Sequence, residues 1–291
     1  MTGVQTCALP ICHYDVDAPI SGSDELGDLS RAFNQMTKVL SVTTTQLKEK
    51  NKILEEQKEE LKKFDQLKSE FVSIVSHELR TPMSIIKGSL SQLLDVGTHT
   101  SREVAEKLLT LSLKNVNRLT HLVNNLLDLS KIEAGKIELH KDWVDFVTLA
   151  KEVSHGFVAQ AAEKNIEIRE RFSSETIMVY VDKDKMIQVL MNLIGNSMKF
   201  VEKGFIQIVI EEKLETVVCA IEDSGRGIAA EDLPKVFGKF KQFGQQEGAV
   251  KGTGLGLSIS KGLVELHKGT IWVESELGVG TKFIFEFPKS A

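Results

Sequence analysis

Apolar residues recur at helical spacing through the first half of the chain and at strand spacing through much of the second. After a Pro- and Gly-containing turn, Ser23 is a candidate N-cap with acidic residues behind it. Leu26, Leu29, Phe33, Met36 and Leu40 then fall three and four apart, which predicts an amphipathic helix. Leu40, Leu47, Leu54 and Leu61 repeat every seven residues, and residues 46–70 hold seven Lys, seven acidic residues and no Gly or Pro. That pattern predicts a coiled coil over 41–65. Its companion seam positions, Thr43, Lys50 and Gln57, are polar, so the coil is weak. It reads either as a movable linker or as an ordinary solvated helix.

The helix continues over residues 64–94, with Phe64, Leu67, Phe71, Ile74 and Val75 apolar, until DVGTHTS breaks it. A second helix over 103–133 carries Leu108, Leu109, Val116, Leu119, Val123, Leu126 and Leu127. The two form a hairpin. One hairpin has too little to bury its stripe against, so the expected arrangement is a dimeric four-helix bundle. After Gly135 the pattern changes. IELHKDW and IEIRERF alternate, GFIQIVIEEKLETVVCAIED reads as two strands and a turn, and TKFIFEFP as a last strand. Helices are predicted at 145–164, 184–200 and 255–266. This order implies an α+β layer with helices on one sheet face.

The chain has 291 residues, which suggests two domains at roughly 150 residues each. Lys plus Arg number 36 and Asp plus Glu 41, so the net charge of −5 gives no electrostatic reason to expect a nucleic-acid partner. No apolar run approaches the roughly 20 residues that span a bilayer. Cys7, Cys12 and Cys219 form neither a metal-ligand spacing nor a disulfide framework, and Cys219 reads as a small buried residue of a strand. His13, His99, His121, His140, His155 and His267 have no ligand-spaced partner and read as structural or exposed. Residues 1–11, MTGVQTCALPI, back-translate from a GTG start to a common short-read sequencing adapter, and the adapter's final T begins a Cys codon, as residue 12 requires. They are read as an artefact and kept out of the fold argument.

The chemistry concentrates in a few segments. In FVSIVSHELRTP, residues 71–82, His77 lies on the first hairpin helix beside Glu78, and Thr81 shares its face one turn on. Pro82 cannot donate to the carbonyl of Glu78, which is expected to loosen the helix there. A nucleophilic imidazole needs one nitrogen free and the other held, and Glu78 is the nearest acceptor. Thr81 could orient a water. Asn192, Asn196 and Lys199 sit at i, i+4 and i+7, so one helix face presents two amides and an ammonium, followed by Phe200. EDSGRGI sets Asp223 at a strand end with Gly225 and Gly227 behind it. Nine of the 21 glycines fall between Gly225 and Gly262, a density that marks backbone near a ligand. In KGTGLGLSI, residues Gly252, Thr253, Gly254, Leu255 and Gly256 lead straight into a helix, whose N-terminus would attract polyphosphate, although the spacing is neither a Rossmann nor a Walker loop. Residues 238–251 are expected to form a mobile lid.

Taken in order, His-Glu-Leu-Arg-Thr-Pro, the helix end LLDLSKIEAGK, the asparagine helix, Asp-Ser-Gly-Arg-Gly and the glycine loop resemble the sensor histidine kinases of two-component systems, over about 230 residues. DELGDLSRAFNQM resembles the second half of a HAMP linker. The resemblance implies a HAMP-like remnant at 12–40, a dimerisation and phosphotransfer domain at 66–136, and an α+β sandwich ATP-binding domain of the gyrase and heat-shock-chaperone type at 140–291. It implies ATP and magnesium, with Asn196 on the metal and Lys199 on phosphate. It places adenine at Asp223, assigns Asn192, Phe200, Gly225 and Gly227 to the nucleotide site, and makes Phe237 and Phe240 the phenylalanine motif. Core packing is the plain alternative for those two.

The implied activity is autophosphorylation of His77, then transfer to an aspartate of a separate response regulator docked near Ile85 and Ile86. The chain would work as a homodimer with a hinge at 135–143. No receiver domain follows the last strand, so phosphate is expected to leave the chain. The implied location is the cytoplasmic part of an inner-membrane receptor, with membrane contact only through an absent N-terminal region. Three alternatives stand beside this one: a regulator phosphatase working through Thr81, a clamp-type ATPase of the same nucleotide fold, and a non-catalytic nucleotide-binding scaffold. Gly195 and Ser197 depart from the family's bulkier apolar residue and Ala. The first costs roughly 1 kcal/mol in a helix interior, and the second is near-isosteric.

Overall fold

The computed structural model describes residues 25–95, 101–240 and 254–290. Residues 12–24 of the HAMP-like segment, most of the break after the first hairpin helix, and the side chains of Leu26, Phe64 and Leu67 lie outside the described residues. The chain forms two compact units, Met1–Ser73 and Ile74–Ala291.

Helix α1, Glu25–Asp95, begins in the first unit and ends in the second. Glu25 and Asp28 in its first turn complement the helix dipole. No Gly or Pro interrupts residues 28–81, and the three expected helical stretches are one helix. Thr43, Thr44 and Thr45 are poor helix formers, but each returns its hydroxyl to a carbonyl four residues back. The heptad leucines Leu40, Leu47, Leu54 and Leu61 are exposed on the single chain.

In the second unit α1 continues through Pro82 as helix. Helix α2, Arg102–Glu133, starts at Ser101, whose hydroxyl accepts from Val104 N. It ends at Gly135, with Gly135 N bonded to Ile132 O at 3.0 Å and Lys136 N to Lys131 O at 2.9 Å, a Schellman cap.

The rest is an α+β layer. A five-stranded sheet runs in the order β2 (Ile166–Phe172), β4 (Gly204–Glu212), β5 (Thr216–Asp223), β7 (Gly280–Pro288), β6 (Thr270–Glu276). The β2–β4 pair is parallel and the others are antiparallel. Alternation turns Ile206, Ile208 and Ile210, then Val217, Cys219 and Ile221, then Phe283, Phe285 and Phe287 into one core. Helices α3 (Phe146–His155), α5 (Lys183–Phe200) and α6 (Gly256–Leu266) carry the matching apolar stripes. A short antiparallel pair, β1 (Asp142–Asp145) with β3 (Met178–Val181), stands apart from the main sheet.

Three expectations are corrected. IELHKDW is a strand only from Asp142, because His140 N is taken by the Asp182 carboxylate at 2.9 Å instead of a ladder. The helix expected over 145–164 is two, α3 and α4 (Val158–Glu163), divided at Gly156 and Phe157, whose N–H groups bond back to Val153 and Ser154. Strands β3 and β6 were not foreseen: four residues are too few for a period, and TIWVESE mixes polar and apolar positions at an exposed edge.

Candidate active site

Alternation along β5 sends Val217, Cys219 and Ile221 into the core, and Asp223 is the next inward position. It is 5% exposed, at the strand end beside α5. Three donors converge on it. Ser197 Oγ donates to Oδ2 at 2.7 Å, Gly225 N to Oδ1 at 2.9 Å, and Thr281 N also donates. Burial pushes the Asp223 carboxyl up from the ordinary range, the three donors oppose that, and Glu222 adds a smaller upward push.

The backbone behind Asp223 leaves no room for side chains. A Cβ on Gly225 would lie 2.8 Å from Asp223 Oδ1 and 3.0 Å from Phe200 O. Gly227 has φ +71, and a Cβ there would meet Glu276 O at 2.0 Å. Phe200 is half-exposed, with the Arg226 guanidinium 4.6 Å from its ring centroid.

Along α5 the expected polar face divides. Asn192 spends its amide on α6, donating to Gly256 O at 3.3 Å and to Ser260 Oγ at 3.4 Å. Asn196 is half-buried and has no hydrogen-bonded partner among the described residues. Lys199 is exposed as a residue, yet crowding at its ammonium, and then the positive charge of Arg118, hold it below the ordinary lysine range. Leu255, fully buried, is the N-cap of α6, and its side chain makes no cap hydrogen bond. Phe237 is half-buried and packs edge-on against Phe283, with ring centroids 6.4 Å apart. Phe240 holds φ +59, and its N–H donates to Gly254 O at 2.9 Å. Gly252, Thr253 and most of the expected lid lie outside the described residues.

On the hairpin, His77 is exposed and Glu78 is buried. The partner of Glu78 is Arg118 of α2, whose Nη2 donates to Oε2 at 3.1 Å. Oε1 has no partner among the described residues. Thr81 Oγ1 donates to the His77 carbonyl at 3.2 Å. Arg118 therefore neighbours two site residues, the glutamate beside His77 and the lysine of α5.

The foot of α2 also meets the α+β layer. Ile132 fills the space a side chain on Gly262 of α6 would need, its Cγ2 lying 2.7 Å from that Cβ position. Gln188 Nε2 donates to Asp128 Oδ2 at 2.8 Å, and Lys239 pairs with Glu133.

Sequence reasoning missed Arg118, Asp128 and Gln188, whose partners are distant in the chain. It noted Ser197 without assigning it a role. A signal was there: the buried positions of α5 are Met186, Val189, Leu190, Leu193, Ile194, Ser197 and Met198, and Ser197 is the polar member of that stripe.

Comparison with known proteins adds family matches for three segments. Residues 13–41 match the HAMP domain, 67–135 the His Kinase A (phospho-acceptor) domain, and 181–291 the histidine kinase-, DNA gyrase B- and HSP90-like ATPase. The sensor histidine kinase WalK of Bacillus subtilis is 33% identical over 79% of this chain and 38% of its own. The sensor histidine kinase YclK of the same organism is 32% identical over 96% of this chain and 56% of its own. The chain thus spans about two-fifths to just over half the length of these relatives. Among solved structures, full-length ShkA in complex with AMPPNP is 29% identical over 76% of this chain and 46% of its own, with a TM-score of 0.59. Histidine kinase ThkA in complex with the response regulator TrrA is 28% identical over 76% and 61%, with a TM-score of 0.57.

Proposed function

This chain belongs to the two-component sensor histidine kinases, and on that premise we propose that it transfers the γ-phosphoryl group of ATP to His77 and from there to an aspartate of a response regulator. The observation that carries the reading is the presence, in one compact unit, of an exposed His77 and a buried Asp223 on which three donors converge. Two features around Asp223 support a nucleotide site. Asp223 can accept one more donor, such as the adenine amine. Gly225 and Gly227 let the chain turn closely around Asp223, against Phe200 and Glu276, and the start of α6 would offer N–H groups to phosphate.

By the family pattern magnesium would rest on Asn196, which is half-buried, and on the phosphates. When bound, it would offset charge on the transferring group. Lys199 adds a cation at the same end of α5, while Asn192 holds α6 in position.

In the transfer a ring nitrogen of His77 attacks the γ-phosphorus. The N–P bond forms as the bond to the β–γ bridging oxygen breaks, and ADP leaves. The proton on the other ring nitrogen passes to an acceptor, for which Glu78 Oε1 is in reserve while Oε2 rests on Arg118. In the second step an aspartate oxygen of the regulator takes the phosphoryl group and the N–P bond breaks.

The exposed apolar residues Leu109, Leu113, Val116 and Leu127 of α2 and Leu90 of α1 support a homodimer, in which a second hairpin covers them. An open groove of about 310 Å³ on the hairpin is lined by Ile86, Val116, Leu119 and Val123. The HAMP match supports a membrane receptor whose signal enters through α1. Within the described residues no helix is long and apolar enough to cross a membrane.

The test is incubation with radiolabelled ATP and magnesium. Wild type is expected to carry label that is stable in base and lost in acid, and His77→Gln none. Wild type that binds ATP but takes up no label would overturn the kinase reading.

A further inference from the structure

The Asp223 carboxylate is held more tightly than base binding alone requires. Ionised, it is an acceptor with about four lone-pair directions. Gly225 N, Thr281 N and Ser197 Oγ fill three of them. The first two are backbone groups that any sequence would supply. The third is a choice of side chain, on a helix face otherwise apolar and at 1% exposure. A hydroxyl there has no water to turn to, and its single proton is committed to Oδ2 at 2.7 Å. This contact fixes the rotation of the carboxylate about its Cβ–Cγ axis and leaves one lone pair unclaimed.

We propose that Ser197 is a positioning residue for base recognition, its hydroxyl aiming Asp223 so that the cleft selects a purine bearing an amino group at position 6. The proposal rests on the reading of this cleft as a nucleotide site. An amine at that position donates into the remaining lone pair. A keto oxygen, as in hypoxanthine, would set acceptor against acceptor in a buried place, where neither finds water. Without Ser197 the carboxylate keeps its two backbone donors but loses the contact that sets its angle. It can then turn away from a keto oxygen, and the penalty against the wrong base falls. The role is one of selection, and it acts through Asp223.

The experiment is calorimetric titration of the full chain with ADP and with IDP, each with magnesium, for wild type, Ser197→Ala, Ser197→Thr and Asp223→Asn. Wild type is expected to prefer ADP. In Ser197→Ala the ratio of the two affinities is expected to fall about tenfold, the measure of one charge-assisted hydrogen bond. Ser197→Thr, which restores the hydroxyl, is expected to restore the ratio even if the added methyl weakens both ligands. A ratio unchanged in Ser197→Ala, with both affinities equal to wild type or both lowered alike, would reduce Ser197 to a packing residue and overturn the proposal. A wild-type ratio in Asp223→Asn would instead overturn the assignment of the base to this cleft.

Discussion

Replacing Arg118 with Met keeps the aliphatic stem and removes the charge that holds Glu78. The Glu78 side chain is 10% exposed and that of Arg118 31%. An exposed ion pair is worth about 0.2–1 kcal/mol. Breaking a fully buried one costs about 3–5 kcal/mol. With one buried and one half-buried partner, this pair falls between, at about 1–2 kcal/mol. If that interaction keeps the carboxylate in place for His77, its loss slows phosphorylation by about five- to thirtyfold. ATP binding has no reason to weaken, because Arg118 opposes the charge on Lys199. The assay is the initial rate of acid-labile labelling at limiting and saturating ATP for wild type, Arg118→Met, Glu78→Gln and the double variant. A fall in kcat with KM unchanged or lower is expected, and the double variant should be no slower than Glu78→Gln alone. Losses that add, or a raised KM with kcat intact, would refute the reasoning.

Thr81→Ala removes an exposed hydroxyl that donates to the His77 carbonyl, and is expected to cut regulator dephosphorylation by about tenfold or more while leaving autophosphorylation nearly unchanged, as followed by loss of label from a phosphorylated regulator. Gly227→Ala forces a side chain into a left-handed conformation and against Glu276 O. At about 1 kcal/mol or more from conformation alone, the midpoint of thermal unfolding should drop by at least about 2 °C, and ADP should bind less tightly. His267 is neutral: Nε2 accepts from Asp182 N at 3.1 Å, so Nδ1 carries the proton given to Leu263 O. Burial holds its pKa below the ordinary 6.5. Under acid conditions the unfolded chain takes up a proton that the native ring refuses, so stability present above about pH 6.5 is lost as pH falls through the lowered value. Urea unfolding at pH 7.5 and 5.5 should show that loss, and His267→Gln should lessen it. Equal slopes in the two proteins would remove His267 from the account.

What could be read from the sequence was whatever a local period or motif encodes. The helices of the hairpin follow from a three-and-four spacing, and the strands of the sheet centre from the short apolar runs in IQIVI, TVVCAIED and FIFEF. Asp223 and Asn196 were legible because a motif marks them. Arg118 was not, because its meaning lies in Glu78 on the other helix of the hairpin. The partners of Asn192 on α6 were hidden for a similar reason. On a helical wheel it faces the same way as Asn196, but the start of α6 comes against it and takes its amide. Ser197 shows the limit from the other side. Its place in the apolar stripe of α5 agrees with its burial, and only its partner on β5 reveals what the hydroxyl does there.

The place of β7 in the sheet bears on how the protein is made. β7 is the last strand along the chain, yet it lies between β5 and β6, and Thr281 stands opposite Asp223 on that ladder. As the polypeptide leaves the ribosome, the helices bearing His77 are complete while β5 still has an open edge and Asp223 lacks one of its donors. The hairpin can find a second copy during this interval, but the cleft for nucleotide cannot close. Chain order alone therefore separates completion of the hairpin from completion of the hydrogen bonds around Asp223, which waits for β7.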